Sequence, residues 1–266
     1  MIKINNYNYK EYYKGKNLLS INQDSKTSKG TKKGKLTGIL YLAPYKMAGK
    51  NMCSHATNCF IDCLYTAGRG AFDSIQAARI KKTEYFLTDR ENFLQDLYKS
   101  IIKLVKKAEK LNLEPVIRLN GTSDLLWENI RFNYNGKHKT MFQAFKTVQF
   151  YDYTKYPWDK RNYDNLPKNY DLTFSLAETK ENRIEVLKAL KNNIRVAAVY
   201  DHKQDLPEYQ YFKYNNKTYK FPVINGDDTD LRYMEPGNVI VGLKAKGRAK
   251  NSETGFVLYN NQITIN

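Results

Sequence analysis

The sequence predicts an α/β protein: a partial (β/α) barrel-like parallel sheet, extended by an antiparallel hairpin and preceded by a basic N-terminal arm. Three observations lead there. From Leu36 onwards short β-rich runs alternate with helical stretches, the order expected of βα units around a largely parallel sheet. Two β-rich runs flank Asn215-Asn216, a pair suited to a tight hairpin turn. Residues 1–35 differ in composition, holding nine lysines against Glu11 and Asp24. Their run from Ser25 to Lys35 has no apolar periodicity, so the segment reads as a mobile arm.

The elements follow in order. Leu36–Leu42 is the first strand, and after a long loop Asp73–Glu84 is helical. The clearest helix starts at Thr88, where Thr88 and Glu91 have capping-box spacing and Phe93, Leu94, Leu97, Ile101, Leu104, Val105 and Ala108 share one face. Pro115–Leu119 is the second strand, and Val148–Tyr153 the third, after a short helical piece at Met141–Phe145. Leu172–Leu176, an amphipathic helix at Arg183–Leu190, and Val196–Tyr200 complete the βα series. Tyr209–Tyr214 and Lys217–Val223 form the hairpin, and Val239–Leu243 and Phe256–Tyr259 are two further strands. No linker separates independent domains, so residues 36–266 read as one α/β domain.

Composition narrows the function. A chain of 266 residues with 41% apolar side chains can fill a core, which excludes disorder of the whole. No window approaches about 18 consecutive apolar residues, and the start Met1-Ile2-Lys3-Ile4-Asn5 lacks an apolar leader, so the expectation is a cytoplasmic protein without a membrane span. The net charge of +17 points to a polyanionic partner, with nucleic acid preferred over an anionic membrane surface.

Ligands of parallel α/β sheets bind outside the carboxyl ends of the strands, where loops and helix N-termini gather. Each proposed strand of the series ends there in a polar cluster: a cysteine loop, Asn120-Gly121-Thr122-Ser123-Asp124, Asp152 to Lys155, Ser175 with Glu178, and Asp201-His202. Such residues also cap helices and shape turns, so it is their coincidence that carries the signal. Asp201 beside His202 suits acid–base work, and with Asp124 they are the candidate catalytic groups.

The three cysteines, Cys53, Cys59 and Cys63, lie within eleven residues. In a reducing compartment such grouping suggests a soft metal or cluster more than a disulfide framework. A three-thiolate [4Fe–4S] cluster, a zinc site completed by His55, and ordinary thiols all remain open.

Several segments together resemble the bacteriophage "gene product 88" family. They are Asn51-Met52-Cys53 through Cys63 to Gly70, Arg118 to Asp124, Phe150 to Lys155, Val223 to Arg232 and Val241 to Gly247. The likeness runs from about Leu36 to Tyr259. The cysteine loop and the βα succession are in turn similar, more distantly, to the radical S-adenosylmethionine enzymes. That resemblance implies that Cys53, Cys59 and Cys63 bind a [4Fe–4S] cluster. It also implies that Asn120, Gly121 and Ser123 lie by the amino acid part of S-adenosylmethionine, with Ser175 and Glu178 by its ribose. Here five and then three residues separate the cysteines, whereas the larger group has three and then two.

Two features of the tail bear on partners. Asp227, Asp228 and Asp230 can hold Mg²⁺ or Mn²⁺ as a nuclease requires, or form a turn in which Arg232 pairs with one of them. Lys244, Lys246, Arg248 and Lys250, together with Lys155 among Tyr151, Tyr153, Tyr156 and Trp158, suit contact with phosphates and unpaired bases. The leading expectation is an iron–sulfur, radical S-adenosylmethionine-like enzyme acting on a nucleic acid or a nucleotide-derived substrate. The alternatives are a basic nucleic-acid-binding protein with structural zinc or no metal, and a metal-dependent nuclease.

Overall fold

The computed structural model describes residues 8–21 and 25–265. They form two compact units, each assembled from alternating stretches of chain. The first takes the chain up to Ser54, Phe72–Asp152 and Asn165–Tyr170; the second takes His55–Ala71, Tyr153–Asp164 and the chain from Asp171 onwards.

The first unit begins with a correction. The segment expected as a mobile arm contains α1 (Tyr9–Tyr13), β1 (Ser20–Ile21) and α2 (Ser25–Thr31). Its few apolar side chains explain this: Tyr13, Leu18 and Leu19 are buried, Tyr13 stacks on Tyr85 at 5.2 Å, and the Leu18 amide donates to Ser100 Oγ. Residues 1–7 and 22–24 of that arm lie outside the described residues. β2 (Lys35–Ile39) follows, antiparallel to β1. α3 (Asp73–Thr88) and α4 (Arg90–Lys110) come next.

On α4, Phe93, Leu94, Leu97, Ile101, Leu104 and Ala108 are buried as their spacing predicts. Its cap is Asp89 rather than Thr88, for the Asp89 carboxylate accepts from the Asn92 amide while the Thr88 hydroxyl donates back to Glu84 O. β3 (Glu114–Arg118) pairs in parallel with β2, and β6 (Gln149–Thr154) in parallel with β3. Between them lie β4 (Phe132–Tyr134), β5 (Lys137–Lys139) and α5 (Met141–Ala144), the last held by a Thr140–Gln143 capping box.

In the second unit β7 (Tyr170–Ser175, less its first residue) and α6 (Lys180–Lys191) lead to β8 (Val196–Tyr200). β9 (Tyr209–Tyr214), β10 (Lys217–Asn225), β11 (Ile240–Lys244), β12 (Val257–Leu258) and β13 (Gln262–Thr264) follow. The strand order is β7-β8-β11-β10-β9-β13, with the first four parallel. β9 returns antiparallel to β10 through Asn215 and Asn216, both left-handed with φ of 49° and 57°. β12 pairs with Val199 and Tyr200 in the lane that β7 vacates at Ser175, because β11 already fills the other side of β8.

The fold is therefore mixed α/β with mostly parallel strands, but the expected partial barrel is replaced by open sheet. Among the described residues neither β1 nor β13 takes a second strand neighbour. Closure needs a last strand returning to the first, and here the final strands build out the antiparallel edge. Among the described residues no helix is long and apolar enough to cross a membrane.

Candidate functional site

Each unit has its own polar cluster beyond the carboxyl ends of its strands. In the first, Asn120 organises the loop after β3. Its side-chain oxygen accepts from Ser123 Oγ, Leu125 N and Trp127 Nε1 at 2.9–3.0 Å, while its Nδ2 donates to Leu125 O. Asp152 is fully buried in β6 and accepts from the Leu119 and Asn120 amides and from Tyr170 OH. Gly121 runs so close to β2 that a Cβ there would lie 2.7 Å from Leu40 O and 2.6 Å from Ile39 Cγ2. The Asp124 amide donates to Met52 O, Asp124 bridges in parallel to Cys53, and Cys53 Sγ donates to Thr122 O at 3.7 Å. Asn120, Gly121, Ser123, Asp124 and Cys53 are thus brought together, and the bonds they make hold this loop.

The second unit holds Cys59 and Cys63. Cys59 sits in a short 3-10 turn, Asn58–Phe60. Glu178 clamps the turn's start, accepting from Thr57 Oγ1 at 3.0 Å and the Asn58 amide at 2.8 Å. Asp62, buried beside Cys63, accepts from Ser252 Oγ at 2.5 Å and Thr254 Oγ1 at 2.7 Å. Ser175, at the end of β7, accepts from Lys155 Nζ at 3.1 Å, and that ammonium also lies 5.5 Å from the centre of the Phe256 ring. Burial pulls the Arg183 guanidinium below its usual range, against the attraction of Glu178. Glu178 thus holds the turn that carries Cys59, and Lys155 holds Ser175.

The remaining candidates have local partners. His202 Nδ1 lies 3.2 Å from Asp201 Oδ1 without a hydrogen bond between them, and the Asp201 amide donates to Leu258 O. Asp227 meets Lys246 Nζ at 2.7 Å and accepts from the Lys244 amide, whereas Asp228 accepts from Asn225 Nδ2. Arg232 is a second correction: its guanidinium pairs with Glu235 and donates to Gly226 O, not to one of the three aspartates. Arg248 and Lys250 are exposed, and among the described residues neither is in an ion pair. His55 packs edge-on against Tyr156 at 4.4 Å.

Among the described residues no three His, Cys, Asp or Glu side chains are grouped to hold a metal ion. Cys53 belongs to one unit and Cys59 and Cys63 to the other. Sequence reasoning missed Asp62, Ser252 and Thr254, while Asp152 was among the strand-end polar residues it singled out. Asp62 meets Ser252 across 190 residues, a separation that carries no local signal.

A family model described as Gene product 88 matches residues 16–259. No curated protein and no solved structure matches the chain. The more distant likeness to radical S-adenosylmethionine enzymes gains no support from these comparisons.

Proposed function

The chain belongs to the gene product 88 family, which supports a bacteriophage origin, and from that premise we propose that it is a nucleic-acid-binding protein. One observation supports this reading above the others: the loop after β11 presents Arg248 and Lys250 to solvent, without ion-pair partners among the described residues, in a chain of net charge +17. Lys244 and Lys246 precede them, and Lys155 lies in the same unit. Such cations track phosphates whatever the base sequence, and binding releases the counterions condensed on the nucleic acid.

Nucleic-acid binding needs no cation or cluster, and among the described residues no group of three His, Cys, Asp or Glu side chains supports the iron–sulfur or the nuclease reading.

The test is binding of labelled single-stranded and duplex DNA at low salt, followed by titration with salt. Replacing Arg248→Gln together with Lys250→Gln lowers the slope of log affinity against log salt by about 1.8 for duplex, roughly 0.9 for each lost phosphate contact. Cys59→Ser leaves the slope unchanged. Absence of binding to either probe at low salt overturns the reading.

A further inference from the structure

β10 is longer than the strand beside it. β11 covers only Val223–Asn225, so Lys217–Pro222 have β9 on one side and, among the described residues, no strand on the other. In an antiparallel pair, successive residues turn their N–H and C=O alternately toward and away from the partner. The Val223 amide donates to Glu208 O on the β9 side. Tyr219 and Phe221 therefore face β9, and the backbone groups of Thr218, Lys220 and Pro222 face the open side.

A groove of about 440 Å³ lies along that side. Lys191 and Asn193 at the end of α6 line it, with Asn238 before β11 and Thr218, Tyr219 and Lys220 of β10. The Lys191 ammonium stands 4.4 Å from the centre of the Tyr219 ring, and the Lys220 ammonium 3.6 Å from that of Tyr209. Both rings are half-exposed. Residues 209–225 contain Lys213, Lys217 and Lys220 and no Asp or Glu. The Asn193 wall is held firmly, for Gly237 packs so close that a Cβ would fall 1.9 Å from Asn193 O.

An open strand edge ordinarily invites a peptide strand, which takes its affinity from a ladder of backbone bonds. Pro222 has no N–H to give and Lys220 puts a charge on the edge, the two devices that discourage such pairing. What the groove offers instead is the Lys191 ammonium, the outward amides of Thr218 and Lys220, side-chain amides, and the Tyr219 ring. That is the chemistry of a phosphodiester with unpaired bases.

We propose that this groove binds a single-stranded segment of nucleic acid, a site that rests on the reading above and adds strand selectivity to it. Phosphates meet Lys191 and the outward amides of Thr218 and Lys220, a base packs against Tyr219, and Asn193 and Asn238 meet the base edge. The groove borders the amino end of β11, whereas the basic loop follows its carboxyl end, so the two surfaces can be changed independently.

The experiment measures fluorescence anisotropy of a labelled oligodeoxythymidine and of a duplex of matched length, using the whole chain. Tyr219→Ala weakens single-strand binding about tenfold, the effect of losing one stacked base, and leaves duplex binding unchanged. Tyr219→Phe retains the affinity. Lys191→Gln lowers the single-strand salt slope by about 0.7, the loss of one phosphate contact. Thermal melts of each variant establish that the fold persists. If the oligonucleotide binds but these variants change neither affinity nor slope, the groove assignment is wrong and the broader reading stands. Equal losses for single strand and duplex, or equal competition by polyglutamate, overturn the strand selectivity. If the unaltered protein binds neither probe, both proposals fall.

Discussion

Gly121 shows what a single position does here. Its hydrogen is the largest substituent that the 2.7 Å approach of Leu40 O tolerates, so Gly121→Ala destabilises the first unit by about 1–3 kcal/mol, read as a lower urea midpoint. The sequence marks Asn120-Gly121 as a strand-end cluster, and that was legible. That the Asn120 amide gathers Ser123, Leu125 and Trp127 was not, because the identity of a polar residue does not reveal which donors reach it. Lys82 gives a second prediction at this scale. Its ammonium donates to Leu18 O, and burial with the nearby Arg79 charge pushes its pKa down to about 8 from 10.5. The unfolded chain holds that proton to higher pH, so unfolding takes up a proton between these values. This contribution to stability therefore rises with pH from about 8 to 10.5 and is flat below that window. Denaturation midpoints compared across the window should show a smaller rise for Lys82→Met; an identical rise contradicts the assignment.

At the level of elements, periodicity was the reliable guide and termini were not. The apolar face of α4 is where its spacing placed it, but both Thr88 and Asp89 are capable caps, and one residue decided between them. Asp89→Ala should lower stability by about 1 kcal/mol, with Thr88→Ala clearly milder, as thermal unfolding will show. The β9–β10 hairpin was legible from Asn215-Asn216, whose left-handed backbone is the one a two-residue turn requires. Asn216→Gly should stabilise it by about 0.5 kcal/mol, since glycine holds φ of 57° without strain; a lower melting temperature opposes this. The β4–β5 hairpin escaped notice although Asn135-Gly136 is an equally good turn. Its second arm, Lys137-His138-Lys139, has no apolar alternation to identify a strand. The early segment was misread for the opposite reason, as its lysines hid the few side chains that anchor it.

For the whole molecule, the excess of positive charge is the property most plainly written in the composition, and its physical cost is self-repulsion. Raising salt from very low levels to about 0.15 M should therefore raise the melting temperature in the absence of ligand, checked by calorimetry; a fall indicates that attractive pairs dominate. The α/β class followed from the alternation of elements, while closure did not, because local pattern does not record which strand meets which. Cys53, Cys59 and Cys63 are near in sequence, and the chain passes from one unit to the other directly after Ser54. Passages between the units recur after Ala71, Asp152, Asp164 and Tyr170. No single cleavage can therefore part the two halves cleanly. A protease nick at any one of these points, or a gene shortened there, divides at least one of them, so the two halves must be synthesised, tolerated or lost as one inheritance.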